Sequence, residues 1–293
     1  MNSLTGIINF YKETGYTSSD AVSVVRKTLG CKAGHTGTLD PQAVGVLPIL
    51  IGKATKIADY IGGAKSYRAE LQLGITTDTD DLTGTILSER PVNVSIDILR
   101  HAVLSFLGET LQTPPMYSAV KLGGKKLYEL ARAGKTVERV PRAVTISQLN
   151  VIDYNPDTHK AIMDVTCSKG TYIRTICHDI GTELGCGAVM SSLRRTRAGA
   201  YTIDMASRLD QIVEAISSGD IGVIIKPVDS IFAEYPQVTL GYAETQKCKN
   251  GAPNKPLEIQ DGKHRFYGPD NEFLALGEVI SGEIKILKRF FEV

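Results

Sequence analysis

The sequence predicts an α+β fold over residues 1–232 and a small β-barrel over residues 236–293. Three observations lead there. Tyr67, Ala69, Leu71 and Leu73 alternate with Arg68, Glu70 and Gln72, and Ala161, Met163, Val165 and Cys167 repeat that period of two, the mark of half-buried strands. Ile173, Ile176, Ile180 and Leu184 fall at helical spacing instead. From Gln237 onward, short apolar runs are separated by Gly241, Gly251, Gly262, Gly268, Gly277 and Gly282, the rhythm of short barrel strands.

The elements follow in order. Gly6 to Phe10 reads as a strand. Thr17-Ser18-Ser19-Asp20 has capping-box form and precedes apolar Val22, Val25 and Leu29, with a stop at Gly30. Val46 to Ile51 is apolar around Pro48, and a helical pattern through Ile57 and Ile61 ends at Gly62-Gly63. Ile96 to Leu107 is helical up to Gly108. Between Gln112 and Arg142, Pro114-Pro115, Gly123-Gly124 and Gly134 divide the chain into a loop, a short helix near Leu127 to Ala133 and an extended return. After the strand at Ala161 to Cys167, Ser168-Lys169-Gly170-Thr171 leads into a helix with Arg174 in its first turn. Arg194-Arg195-Thr196-Arg197 forms a compact basic cluster, and Glu214 to Pro236 reads as a linker.

Composition narrows the function. With 42% hydrophobic and 22% charged residues, the 293-residue chain can bury a sizeable core and is not globally disordered. Five scattered cysteines suit a reducing compartment better than a disulfide framework or a zinc cluster. No basic and apolar leader follows Met1 and no eighteen-residue apolar run occurs, so a cytoplasmic protein without a membrane span is expected. P-loop, Rossmann, His-Glu-x-x-His and Gly-x-Ser-x-Gly patterns are all missing, so no cofactor is expected and the chemistry should be redox-neutral. The net charge of +1 hides a strong asymmetry. Between Gln112 and Thr145, Lys121, Lys125, Lys126, Arg132, Lys135, Arg139 and Arg142 face only Glu129 and Glu138. That segment is either a solvated patch or a grip on a phosphate backbone, and the interleaved Tyr117 and Tyr128 suit exposed bases.

Chemistry concentrates at Gly34-His35-Thr36-Gly37-Thr38-Leu39-Asp40-Pro41. Two glycines allow tight turns, and Pro41 holds Asp40 extended. Asp40 is a nucleophile or base on a shaped loop, or an ordinary Asx turn before a strand. Arg174 is a surface helix arginine or the partner that keeps Asp40 ionised and lowers its pKa. Tyr67 belongs to the core or stacks on a base, and His35 is a loop side chain or a ring that fills a gap in a base stack.

Taken together these segments resemble the TruB-type tRNA pseudouridine synthases. The Asp40 loop resembles the family's catalytic loop, and Lys65-Ser66-Tyr67-Arg68 its tyrosine strand. Pro115-Met116-Tyr117-Ser118-Ala119-Val120-Lys121 with Gly124-Lys125-Lys126-Leu127-Tyr128 resembles its RNA-gripping insertion, about 112–145. Ser168 to Thr175 resembles the arginine motif, and Leu193-Arg194-Arg195 the late leucine motif. The resemblance implies a pseudouridine synthase fold with a mixed, largely antiparallel sheet flanked by helices, followed by a PUA-like RNA-binding barrel. It implies isomerisation of uridine at position 55 in the tRNA T loop, without cofactor, metal or protein partner, by a monomer. Asp40, Tyr67 and Arg174 would be catalytic. His35, Tyr172, Leu193, Lys12, Lys121, Lys125, Lys126 and Tyr117 would bind substrate. Lys12-Glu13-Thr14-Gly15 departs from the family's Lys-Pro-x-Gly, so a surviving but looser turn is expected. Two other readings remain: a guide-RNA-dependent relative, and an RNA-folding helper whose catalysis is dispensable.

Overall fold

The computed structural model describes residues 4–250 and 258–291. Its centre is a ten-stranded sheet whose spatial order runs through residues 225–226, 6–12, 44–51, 188–198, 65–73, 160–167, 142–155 and 108–112, with 33–35 and 201–202 attached at the side. In chain order, β1 (Gly6–Lys12) leads to α1 (Ser18–Leu29), β2 (Ala33–His35) and β3 (Val44–Ile51). Then come β4 (Lys65–Leu73) and the hairpin of β5 (Ile75–Thr77) and β6 (Ile86–Glu89). Next are α2 (Ile96–Leu104), β7 (Gly108–Gln112), a second hairpin of β8 (Lys121–Leu122) and β9 (Lys125–Lys126), and α3 (Leu127–Arg132). The chain continues through β10 (Arg142–Asn155), β11 (Lys160–Cys167), α4 (Ile173–Glu183), β12 (Ala188–Ala198) and β13 (Tyr201–Thr202). It closes with α5 (Leu209–Ser218), β14 (Ile225–Lys226), β15 (Gln237–Thr239), α6 (Tyr242–Asn250), β16 (Gly262–Tyr267), β17 (Phe273–Ile280) and β18 (Glu283–Arg289).

Local chemistry accounts for most of these boundaries. Thr17 and Asp20 form the expected capping box, and Gly30 ends α1 in the left-handed region at φ 63°. The central ladders are antiparallel, except that β3 runs parallel to β12 where Val44 and Gly45 meet Arg194 and Arg195. That junction needs a glycine: Gly45 has φ 106°, and a side chain there would collide with the Arg195 carbonyl. β4 lies between β11 and β12, so its apolar face, Tyr67, Ala69, Leu71 and Leu73, joins the main core.

Five expectations change. The helical pattern after Ile51 is a kinked 3-10 helix, Gly52–Tyr60, broken at Ile57, and α2 stops at Leu104 rather than Leu107. Glu214 to Pro236 is no linker: β14 pairs with β1, and Val228 and Phe232 are buried. The basic cluster is split by strand alternation, which sends Arg195 fully inside while Arg194 stays exposed. The expected C-terminal barrel is an open four-stranded sheet, β15-β16-β17-β18, among the described residues. Leu276 and Phe290 pack with Ile7, Val46, Ile57 and Phe232, while Phe266, Leu274, Ala275 and Val279 form a separate cluster with Leu240 and with Cys248 of α6. Gly251 and Met1 lie outside the described residues.

Candidate active site

Asp40 sits on the loop between β2 and β3, and two buried cations shape that loop. Lys12, at the end of β1, is fully buried. Its ammonium donates to the carbonyls of Glu13 at 3.1 Å, Pro41 at 3.0 Å and Ala43 at 2.6 Å. Arg195 of β12 donates from Nε to the Val46 carbonyl at 2.6 Å and from Nη2 to the Gly37 carbonyl at 3.1 Å. The Ser18 hydroxyl of α1 accepts from the Leu39 N–H at 2.8 Å and donates to the Leu39 carbonyl at 3.0 Å. A loop too irregular to pair with a strand thus has its polar backbone satisfied by side chains from three elements. Lys12 therefore meets backbone, not the open cleft, contrary to its expected place among substrate-binding residues.

Arg174, in the first turn of α4, is 4% exposed and meets Asp40 through two nitrogens. Its Nε lies 2.9 Å from Asp40 Oδ2, and its Nη2 3.3 Å from Oδ1. Nη1 donates to the Thr79 carbonyl at 3.0 Å, and Nη2 also donates to the Tyr117 carbonyl at 2.9 Å. A planar fork with several donors suits this convergence. Gln112 anchors the start of α4: its Oε1 accepts from the Tyr172 N–H at 2.7 Å, and its Nε2 donates to the Tyr172 carbonyl at 3.0 Å. The segment that begins at Gln112 and the helix that carries Arg174 are thereby joined at their bases.

A second carboxylate completes the arrangement. Asp81 is 4% exposed and lies 3.8 Å from Arg174 Nε. It accepts hydrogen bonds from Gln42 Nε2 at 2.7 Å, Thr79 Oγ1 at 2.8 Å and the Thr83 N–H at 2.9 Å. Next to it, Asp80 Oδ1 lies 3.0 Å from Nδ1 of His178, one turn beyond Arg174 on α4.

The electrostatics reverse one expectation. Burial pushes the Asp40 carboxyl above its usual value; Arg174 and Lys12 pull it down and Asp81 pushes it up, and the net direction is upward. The guanidinium opposes desolvation without overcoming it. Burial also raises the Tyr67 phenol, against Arg195, whose guanidinium is in hydrogen-bonding contact with it. Burial, Arg195 and Lys65 together lower the His35 imidazole, which favours the neutral ring.

The structure brings Asp40 and Arg174 into contact and sets Tyr67 close enough to feel the Asp40 charge. Tyr67 and Leu193 are each 7% exposed and share the main core. His35 and Tyr172 line a cleft of about 550 Å³ beside the loop. Its walls also include Gly37, Asp59, Lys65, Arg142, Lys169 and Gly199. Tyr117 contributes its carbonyl to Arg174. Lys121, Lys125 and Lys126 stand on the β8–β9 hairpin, with Lys126 over the Tyr128 ring at 5.3 Å, and none of the three lines the cleft. Glu13 forms an ion pair with Arg208, and the Gly15 N–H donates to the Pro41 carbonyl at 3.2 Å, so the turn is kept. The sequence reading missed Asp81, Gln42, Arg195 and Gln112 as parts of the site. The signal for Asp81 was the Thr-Asp-rich run from Thr76 to Asp81. Among the described residues, no three His, Cys, Asp or Glu side chains are grouped to hold a metal.

A half-buried aspartate clamped by an arginine from a distant helix, on a loop whose first residues line a cationic cleft, defines the class of site. The family model "TruB family pseudouridylate synthase (N terminal domain)" matches residues 25–173, and "tRNA pseudouridylate synthase B C-terminal domain" matches residues 174–233. A tRNA pseudouridine synthase B from Alkaliphilus oremlandii is 46% identical, over 99% of both chains. One from Clostridium novyi is 43% identical, over 97% of this chain and 99% of that one. Among solved structures, a Cbf5-Nop10-Gar1 complex includes a chain with a TM-score of 0.71 at 27% identity, covering 98% of this chain and 85% of that one. The protein belongs to the TruB family of pseudouridylate synthases.

Proposed function

We propose that this enzyme converts uridine to pseudouridine at position 55 in the T loop of tRNA, with Asp40 as the reacting carboxylate. The carrying observation is the two-point contact of Arg174 with Asp40, on the loop whose residues His35 to Gly37 line the cleft. The relatives at 46% and 43% identity are both named tRNA pseudouridine synthase B. In the reaction the C1′–N1 bond breaks, the uracil turns over, C5 bonds to C1′, C5 loses its proton and N1 gains one. Nothing is added or removed, so the protein must supply only a reactive group, a trap for the loose base and a proton path.

Asp40, with 32% of its side chain open, is poorly solvated and fixed in direction, which suits a nucleophile or base. Tyr67 forms the floor for the everted uracil and assists proton removal at C5, with Leu193 as the apolar wall. His35, as a neutral ring, fills the space the base leaves and offsets part of the unstacking cost of a few kcal/mol. Lys121 lies opposite Lys126 across the β8–β9 hairpin, a like-charge pairing that a phosphate backbone would relieve. These lysines with Tyr117 therefore grip the T stem, and residues 236–293 form a second RNA-binding surface. The enzyme acts in the cytoplasm as a monomer on bare tRNA, without guide RNA or protein partner.

The test is an unmodified tRNA transcript incubated with the wild type and with Asp40→Asn, followed by mapping of new pseudouridine. The wild type should modify position 55 alone. Asp40→Asn should form none while its tRNA affinity changes by less than about tenfold, or 1.4 kcal/mol. Full activity of that variant, or wild-type activity that appears only with a guide RNA, would overturn the proposal.

A further inference from the structure

Three cations line the cleft without partners. Lys65 at the start of β4, Arg142 at the start of β10 and Lys169 after β11 all face it. Among the described residues, none of the three side chains makes a hydrogen bond or ion pair. Asp59 is the one carboxylate in the same lining. Lys65 is half-buried, and its ammonium packs on Gly37, where a Cβ would lie 2.5 Å from it. It shares a face of β4 with Tyr67, and Gly37 is three residues from Asp40. Three cations around a cavity that holds a single carboxylate repel one another and focus a positive field into it. A phosphodiester accepts hydrogen bonds from lysine and arginine and removes that repulsion.

We propose that Lys65, Arg142 and Lys169 form the subsite for the RNA phosphate flanking the everted nucleotide, and that filling it is coupled to protonation of Lys65. This rests on the tRNA reading above. Burial, then Arg195, lower the Lys65 ammonium to about 8; Cys167 pulls the other way and Lys169 adds a smaller lowering. The other groups around it are His35 from β2, Asp59 from the 3-10 helix and Arg142 from β10. The Cys167 thiol is itself pushed up to about 11 and His35 titrates below its usual value, so neither changes charge near pH 8. A phosphate beside Lys65 stabilises the ammonium, so RNA binding near that pH draws a proton from the buffer.

The experiment uses the full chain in an Asp40→Asn background, so that turnover does not intervene, and an unmodified T-arm hairpin as probe. Calorimetry at pH about 8, in buffers of different ionisation enthalpy, counts protons taken up, and anisotropy gives Kd against salt. The parent should take up a measurable fraction of a proton per RNA. Lys65→Met should bind on the order of tenfold more weakly and take up none. Lys65→Arg, always charged, should retain most of the affinity and also take up none. Arg142→Met and Lys169→Met should each reduce the slope of log Kd against log salt by roughly one. Unchanged proton uptake in Lys65→Arg, or parental affinity in Lys65→Met, would refute the subsite. Equal affinity for a scrambled hairpin, with Lys65-dependent uptake intact, would sink the T-loop reading and leave the phosphate subsite standing.

Discussion

Arg174→Lys keeps the charge and removes the fork, so it isolates the part of the site that geometry supplies. In the wild type, three guanidinium nitrogens make four polar contacts: hydrogen bonds to Asp40 Oδ1, the Thr79 carbonyl and the Tyr117 carbonyl, and an ion-pair contact with Asp40 Oδ2. A single ammonium nitrogen cannot stand within bonding distance of acceptors that three separate nitrogens now serve. At least two of the four are lost, each worth about 1.5–3 kcal/mol for a charged donor. If one of them is an Asp40 contact, the turnover rate should fall roughly 10- to 150-fold at about 1.4 kcal/mol per decade. The loss of a backbone contact should lower the melting temperature by roughly 3–10 °C for a chain of this size. The assay is single-turnover pseudouridine formation on saturating tRNA, which reports chemistry apart from binding, alongside thermal unfolding. Binding should change little, because Arg174 is 4% exposed and faces protein groups. A wild-type single-turnover rate in Arg174→Lys would show that the fork does not position Asp40. A rate loss matched by an equal loss of affinity would place the arginine in RNA binding instead.

Lys12→Met should lower both stability and turnover, because it strips the shared donor from the carbonyls of Glu13, Pro41 and Ala43 in a fully buried pocket. A loss of about 2–4 kcal/mol is expected by chemical denaturation, and unchanged activity would mean the Asp40 loop holds its shape without it. His178 gives a pH signature. Its hydrogen bond to Asp80 raises the imidazole above its usual value, so its stabilisation is complete below the unfolded value of about 6.5 and fades as pH rises through the folded one. Both partners are partly open to solvent, which limits the effect to under about 1 kcal/mol. The melting-temperature gap between wild type and His178→Gln should therefore be larger at pH about 5.5 than at about 8.5. A gap independent of pH would mean that the pair carries no charge.

What could be read without coordinates is what depends on neighbours in sequence. The capping box at Thr17 and Asp20, the stop at Gly30, the period of two from Tyr67 to Leu73 and the helical spacing of α4 all rest on contacts within a few residues. The Asp40 loop and the Arg174 helix start could be named as candidates, because glycine, proline and residue type are local facts. Where local signals were weak, the reading slipped. The stretch after Gly219 lacks a clean period, yet pairing with β1 makes Ile225 and Lys226 a strand, a decision taken by an element more than two hundred residues away.

The site itself belongs to the tertiary structure. Asp40 and Arg174 are 134 residues apart and meet only because the helix following β11 packs against β12, the strand that also pairs with β3. Lys12 and Arg195 look in sequence like cations for solvent or RNA, and burial turns them inward onto loop carbonyls. The direction of the Asp40 pKa was likewise out of reach: an arginine partner argues for lowering, and only the depth of the loop decides that desolvation outweighs it. Sequence determined which chemical groups were present and which short elements would hold them. Folding decided which met and how far each lay from water, because those quantities depend on three-dimensional distance and not on separation along the chain.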